Sequence, residues 1–139
     1  MPADARDDVS LWLFWKRTGE MVRSNVVAEV TAGSGLSEPE LTVLVQVNEA
    51  GGRLRQNSLA AATGWDRGRL SHLLTRMESR GYVSRERLRN GVEIVMLAPG
   101  QDVITAAQPH LAAAVDRHLT GKLTPAQREA LREILTHLC

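Results

Sequence analysis

The chain has 139 residues, 43% of them apolar and 24% charged, with a formal net charge of +1. That is one ordinary domain with enough apolar content to bury a core unaided, which excludes intrinsic disorder and a collagen-like fibre. No run approaches eighteen apolar residues, the acidic, polar start MPADARDDVS is unlike a secretion signal, and the single cysteine, Cys139, cannot form an internal disulfide; a cytoplasmic protein without membrane contact is expected.

The charge is unevenly distributed. From Arg53 to Glu93 there are nine arginines (Arg53, Arg55, Arg67, Arg69, Arg76, Arg80, Arg85, Arg87, Arg89) and four acids (Asp66, Glu78, Glu86, Glu93), a net +5, which leaves −4 for the rest. A basic middle between acidic ends is what a polyanion-binding module on a scaffold looks like, although surface charge also clusters by chance. Every base in the stretch is arginine, whose planar fork fits phosphate and guanine better than lysine does.

In chain order, residues 9–31 read as a long helix, with Leu11, Trp12, Trp15, Val22, Val26 and Val30 at helical spacing. Its segment Leu11-Trp12-Leu13-Phe14-Trp15 is apolar all round and holds three of the five aromatics, so it needs cover on every side, more than one chain of this size readily supplies. Thr31-Ala32-Gly33-Ser34-Gly35 ends it. Ser37 and Glu40 form a capping box for the next helix, with Leu36 and Leu41 at the staple positions. Leu41, Leu44, Val45 and Asn48 form its inward stripe, and Gly51-Gly52 stops it. Arg53-Leu54-Arg55 is a candidate short strand. Gln56 to Thr63 is a short helix with Leu59, Ala60 and Ala62 inward, and Gly64 suits a left-handed turn. Asp66 caps a helix running to about Arg80, with Leu70, Leu73, Leu74 and Met77 at i, i+3, i+4 and i+7, and Gly81 as its stop. Tyr82–Arg89 and Val92–Leu97 flank Asn90-Gly91, a strong hairpin signal, and Pro99-Gly100 ends the hairpin. Residues 101–119 are Ala-rich and helical, with a kink or break expected at Pro109. Thr124 and Gln127 form a second capping box, and Leu131, Ile134, Leu135 and Leu138 stripe the last helix.

Short helix, glycine turn, longer helix and basic hairpin follow the order of a winged helix-turn-helix. The segments Leu59-Ala60-Ala61-Ala62-Thr63-Gly64-Trp65-Asp66, Leu70 to Val83 and Met96-Leu97-Ala98-Pro99-Gly100 resemble the MarR family of bacterial transcription regulators. Thr75-Arg76-Met77-Glu78-Ser79-Arg80-Gly81 running into an apolar strand is the most specific part. The resemblance covers nearly the whole chain. It implies a mainly α fold with a small β-hairpin wing, one domain over 1–139, with 36–98 as the winged helix-turn-helix lobe. Helices 9–31 and 101–138, from both chain ends, would form the dimerisation region. It also implies a symmetric dimer on a pseudo-palindromic site of double-stranded DNA, a recognition helix in the major groove and a wing on the minor groove. Repression released by a small, often aromatic, effector goes with it. Two features depart from the family pattern. The wing is short, Arg87-Leu88-Arg89-Asn90-Gly91-Val92, without the Asp-x-Arg segment whose salt bridge commonly braces it. Thr63 stands where a large apolar residue is usual, with Trp65 near enough in sequence to fill that volume.

The candidate DNA contacts are Arg67, Gly68, Arg69, Ser71, His72, Thr75 and Arg76 on the helix, and Arg85, Arg87 and Arg89 on the hairpin. Arg67 and Arg69 lie in the first helical turn, where cations oppose the helix dipole, a placement that suits an external anion better than stability. Gly68 gives up helix propensity and leaves room for close approach. A solvated basic face and a charge-protected edge strand are the blander readings of the two arginine sets. Trp12 and Trp15 are candidate effector contacts, though aromatics at helical spacing more often serve a core or interface. His110 and His118 lack the neighbours of a metal site, no cofactor is implied, and no catalytic constellation is visible, so an enzyme is not expected. The competing function is a winged-helix protein-interaction module without DNA binding, which would present a more apolar, less uniformly cationic face.

Overall fold

The computed structural model describes residues 3–139. The elements in order are α1 (Ala3–Ser34), α2 (Glu38–Glu49), β1 (Arg53–Arg55), α3 (Gln56–Thr63), α4 (Arg67–Ser79), β2 (Val83–Leu88), β3 (Gly91–Met96), α5 (Ala98–His118), a single 3-10 turn (Thr120–Lys122) and α6 (Pro125–Leu138). The fold is mainly helical with one small antiparallel sheet of strand order β1-β3-β2. It divides into two compact units, one from the chain ends (to Ala32 and from Pro109) and one spanning Gly33–Gln108. No helix among the described residues is long and apolar enough to cross a membrane.

The central unit holds nearly all of the core. Leu41, Val43, Leu44 and Val47 of α2, Leu59 of α3, and Leu70, Leu73, Leu74 and Met77 of α4 are buried with Val83 and Ile94 of the sheet and Ile104 of α5. The capping box at α2 forms in full: the Glu40 amide donates to the Ser37 hydroxyl at 3.3 Å, and the Ser37 amide to Glu40 Oε1 at 3.0 Å. Glu40 is itself buried, and its other oxygen accepts a 2.7 Å hydrogen bond from Arg80, the residue that closes α4. Burial pushes the Glu40 carboxyl up, but the Ser37 amide and hydroxyl and the Arg80 guanidinium outweigh it and hold the group below its ordinary value. The Arg80 guanidinium also lies 4.7 Å from the centre of the Tyr82 ring. One carboxylate therefore ties the start of α2 to the end of α4.

The structure corrects the sequence reading in several places. Helix α1 runs beyond 9–31 at both ends, because its polar first turns carry no apolar period to detect; Asp4 there complements the helix dipole. In α2 the buried set includes Val43 and Val47, while Val45 is only half-buried, since this helix is covered on more than one side. Ala62 of α3 is exposed rather than inward. The hairpin loop is Arg89-Asn90, not Asn90-Gly91: Leu88 pairs with Gly91, and no non-glycine residue among those described has positive φ. The primed turn expected of Asn-Gly is thus absent, and Gly91, at φ +148°, takes up the geometry one residue later. Pro99 and Gly100 do not end the hairpin but lie in the first turn of α5, where the missing proline N–H costs nothing. Helix α5 continues through Pro109 without the expected break; the proline is exposed, so water can serve the carbonyl it leaves unpaired.

The chain-end unit buries far less. Val30 and Ala114 are its fully buried apolar residues among those described, whereas Leu11 is 66% exposed, Phe14 62% and Leu138 64%. Within it, Glu29 of α1 accepts a hydrogen bond from Arg117 and pairs with His118 Nε2 at 2.6 Å. Arg117 first, then His118, holds the Glu29 carboxyl below its usual range. The Thr124–Gln127 capping box is present at the start of α6.

Gly100 is buried, and a Cβ there would stand 2.2 Å from the Tyr82 carbonyl oxygen and 3.0 Å from Met96 Sδ. That carbonyl already accepts the Leu97 amide at 3.0 Å and cannot retreat freely. Gly100→Ala is expected to destabilise the protein by about 2 kcal/mol or more, as overpacking against backbone does. Urea denaturation with an unchanged m-value checks it; wild-type stability would contradict the close approach.

Candidate nucleic-acid interface

Helix α3, the Gly64 turn and α4 make the helix-turn-helix. Gly64 sits at φ +71° and its N–H closes onto the Ala60 carbonyl. Thr63, at the position where the family pattern has an apolar side chain, serves the turn through its hydroxyl: it donates to the Leu59 carbonyl at 2.8 Å and accepts the Trp65 amide at 3.3 Å. Asp66 then caps α4 by accepting the Arg69 amide at 3.1 Å. Burying Leu70, Leu73, Leu74 and Met77 turns the opposite side of α4 outward, and Arg67, Gly68, Arg69, His72, Thr75 and Arg76 are exposed there. A Cβ on Gly68 would come within 3.1 Å of Asp66 Oδ2, so this glycine also leaves room for the cap.

The wing is braced without the family's usual segment. Glu86 and Glu93 face each other across β2 and β3, a repulsive pairing by itself. The Arg53 guanidinium on β1 bridges them, at 3.0 Å from Glu86 and 2.8 Å from Glu93. Hydrogen bonds to Glu93 and then Glu86 raise the Arg53 pKa above its ordinary value. Arg55 donates to Asn90 Oδ1 at 3.1 Å and so ties the hairpin loop to β1.

The ten residues expected to face DNA fall into two groups. Arg67, Gly68, Arg69, His72, Thr75, Arg76, Arg87 and Arg89 are exposed on α4 and the wing. Ser71 and Arg85 are half-buried against each other. The Arg85 guanidinium lies 2.6 Å from Glu78 Oε1, donates to the Thr75 hydroxyl at 2.8 Å, and approaches the Ser71 hydroxyl at 3.4 Å. Among the described residues, Arg67, Arg69, Arg76, Arg87 and Arg89 have no acidic side chain within 4.0 Å. All four acids of the basic stretch are committed elsewhere: Asp66 to the cap, Glu78 to Arg85, Glu86 and Glu93 to Arg53. Sequence reasoning did not single out the bracing roles of Arg53, Arg55 and Arg80, because their partners are 33 to 40 residues away.

Trp12 and Trp15 lie edge to face, with ring centres 6.0 Å apart, and each is 54% exposed. A shallow groove along α1 is lined by Leu13, Phe14 and Met21 among others, and neither tryptophan is in its lining.

A family model described as a domain of unknown function (DUF7343) matches residues 36–96, the span from the α2 cap to the end of β3. No curated protein sequence matches the chain. Among solved structures, AbsC, a MarR family transcriptional regulator from Streptomyces coelicolor, is 30% identical with a TM-score of 0.80, over 93% of this chain and 92% of that one. Sco3205, a MarR family regulator from the same organism in complex with DNA, is 25% identical with a TM-score of 0.84, over 99% and 90%. CouR from Rhodococcus jostii RHA1, bound to p-coumaroyl-CoA, shares the fold at 24% identity and a TM-score of 0.81, over 92% and 90%.

The wing brace makes an expectation. Arg53→Met leaves Glu86 and Glu93 opposed without their bridging cation, and should lower the melting temperature and speed amide exchange in β2 and β3. Adding Glu86→Gln should restore part of the loss, since it removes one of the two like charges. Additive losses in the double variant would contradict the bridge.

Proposed function

The chain belongs to the MarR family of transcriptional regulators, and from that premise we propose that it is a sequence-specific DNA-binding repressor acting as a homodimer on a pseudo-palindromic operator. The observation that carries this reading is the partition of arginines. The fold neutralises Arg53, Arg80 and Arg85 internally and leaves Arg67, Arg69, Arg76, Arg87 and Arg89 exposed without acidic partners on α4 and the wing. Cations in the first turn of α4 oppose its dipole, and a phosphate backbone or guanine edge relieves that. Sco3205, of the same fold, is in complex with DNA, which supports the same partner here.

On this reading α4 enters the major groove and Arg69 reads a base edge, while Arg87 and Arg89 on the wing meet phosphates or the minor groove. Arg67, Arg76, His72 and Thr75 supply further contacts, and Gly68 allows the helix to approach closely. Residues 9–31 and 101–138 form the dimer interface, with 36–98 as the DNA-binding lobe. The exposed Leu11–Trp15 segment and the Ile134, Leu135 and Leu138 stripe of α6 supply apolar surface of the kind obligate interfaces bury. A small aromatic effector, with Trp12 and Trp15 as contacts, would release the DNA; CouR, of the same fold, is bound to p-coumaroyl-CoA.

With six or more of these arginines per dimer neutralising phosphates, log K against log salt should have a slope of about −5 or steeper. Arg69→Ala should relax preference at one position of each half-site, by about 1–3 kcal/mol of discrimination. Arg89→Ala should weaken binding evenly across sequences and flatten the slope by about one unit per contact. Binding-site selection with each variant, beside a salt titration, reads both. A flat salt response favours the protein-interaction module instead, and an unchanged preference in Arg69→Ala removes that side chain from the base contacts.

For the assembly, sedimentation at low micromolar concentration should show a dimer with no monomer. A stable, folded monomer there would overturn the interface.

A further inference from the structure

Arg85 is one of the arginines expected to meet DNA, yet its guanidinium is taken up within the lobe by Glu78 and Thr75. We propose that Arg85 is a positioning residue: clamped by Glu78, Ser71 and Thr75, it fixes the wing against α4 and thereby sets the sequence preference of the lobe, without itself contacting DNA. The inference rests on the DNA-binding reading above.

Ser71, Thr75 and Glu78 lie at i, i+4 and i+7 on α4, one stripe in which Ser71 and Glu78 are half-buried and Thr75 is exposed. Arg85 lies on β2, one of the two outer strands of the sheet. Glu78 grips that strand twice: Oε1 accepts Arg85 Nε at 2.7 Å, and Oε2 accepts the Arg85 backbone N–H at 3.3 Å. The second bond satisfies an open strand edge and pins the backbone as well as the side chain. The remaining guanidinium nitrogens reach the Thr75 hydroxyl and, in longer contacts, the Ser71 hydroxyl and carbonyl. The planar fork therefore spans two helical turns, which a lysine ammonium cannot do. The pair is also shielded: the side chains of Arg85 and Glu78 are 23% and 33% exposed, against 50% and 63% for the surface pair Arg23 and Glu20. Such a pair holds a geometry that a solvated pair does not. Two surfaces that must enter adjacent grooves together depend on a fixed spacing, and a loose base contact discriminates poorly.

The test uses the full-length protein, a selected operator duplex and a random duplex. Arg85→Gln and Glu78→Gln should each lower the ratio of operator to random affinity about ten-fold, comparable to one misplaced bidentate contact. The salt slope should not change, because no phosphate contact is lost. Arg85→Lys should give an intermediate ratio. A direct DNA contact by Arg85 predicts the opposite: Arg85→Gln flattens the slope, and Glu78→Gln, by freeing the guanidinium, tightens both duplexes with the ratio unchanged. A merely structural clamp predicts a lower melting temperature with an unchanged ratio for the folded protein. Either result overturns the proposal. Should Arg85→Gln fail to fold, Glu78→Gln alone decides, since the two models give it different ratios. Wild-type protein with no preference for any duplex overturns the DNA-binding reading and this one together.

Discussion

Charge neutralisation inside the winged-helix lobe is the constraint from which its surface follows. The stretch Arg53–Glu93 holds four acids, and each has a structural partner: a helix cap, a cross-strand bridge or the clamp between wing and helix. Glu40, from outside the basic stretch, takes Arg80. These bonds occupy Arg53, Arg80 and Arg85, and the arginines left over are exposed on α4 and the wing. The exposed arginines of α4 and the wing are the remainder of the lobe's own folding chemistry. An added acid on α4 would disturb both functions at once, by recruiting a surface arginine and by competing with a brace.

Much of this was legible in the sequence, and for identifiable reasons. The α4 stripe Leu70, Leu73, Leu74, Met77 has a single-sided helical period, so both its burial and its exposed face were readable. The two capping boxes are local, four-residue signals, and both form. Legibility failed where geometry depends on residues distant in the chain. The hairpin was placed correctly but its turn was shifted by one residue: Asn90-Gly91 is a strong local signal, whereas the register pairs Val83 with Met96 and Leu88 with Gly91, which leaves Arg89-Asn90 as the loop. Pro99-Gly100 reads as a chain break, whereas in the fold the proline starts a helix and the glycine lets it touch the hairpin base. The same reason hid the inward turn of Arg85: three arginines spaced two apart look equivalent, and only the stripe on α4 singles out the first.

The chain-end helices obey a different logic. Their amphipathic character is clear in α6 and nearly absent in the aromatic segment of α1, yet neither finds enough cover within the described chain. Glu29, Arg117 and His118 supply polar specificity between α1 and the end of α5, not cohesive energy, since exposed ion pairs contribute little. Burial is thus uneven between the units: the central unit holds most of the core, and the chain-end helices leave large apolar side chains exposed.

The contact between Gly100 and the Tyr82 carbonyl has a mechanical consequence. Backbone meets backbone there with no side chain between, so the joint has no compressible spacer. Leu97 bonds to the same carbonyl, and Met96 closes β3 immediately before it. The root of the hairpin and the first turn of α5 are therefore held at one close spacing. That spacing is set by the side chain that residue 100 lacks, so a single methyl group there would push the hairpin and the helix apart.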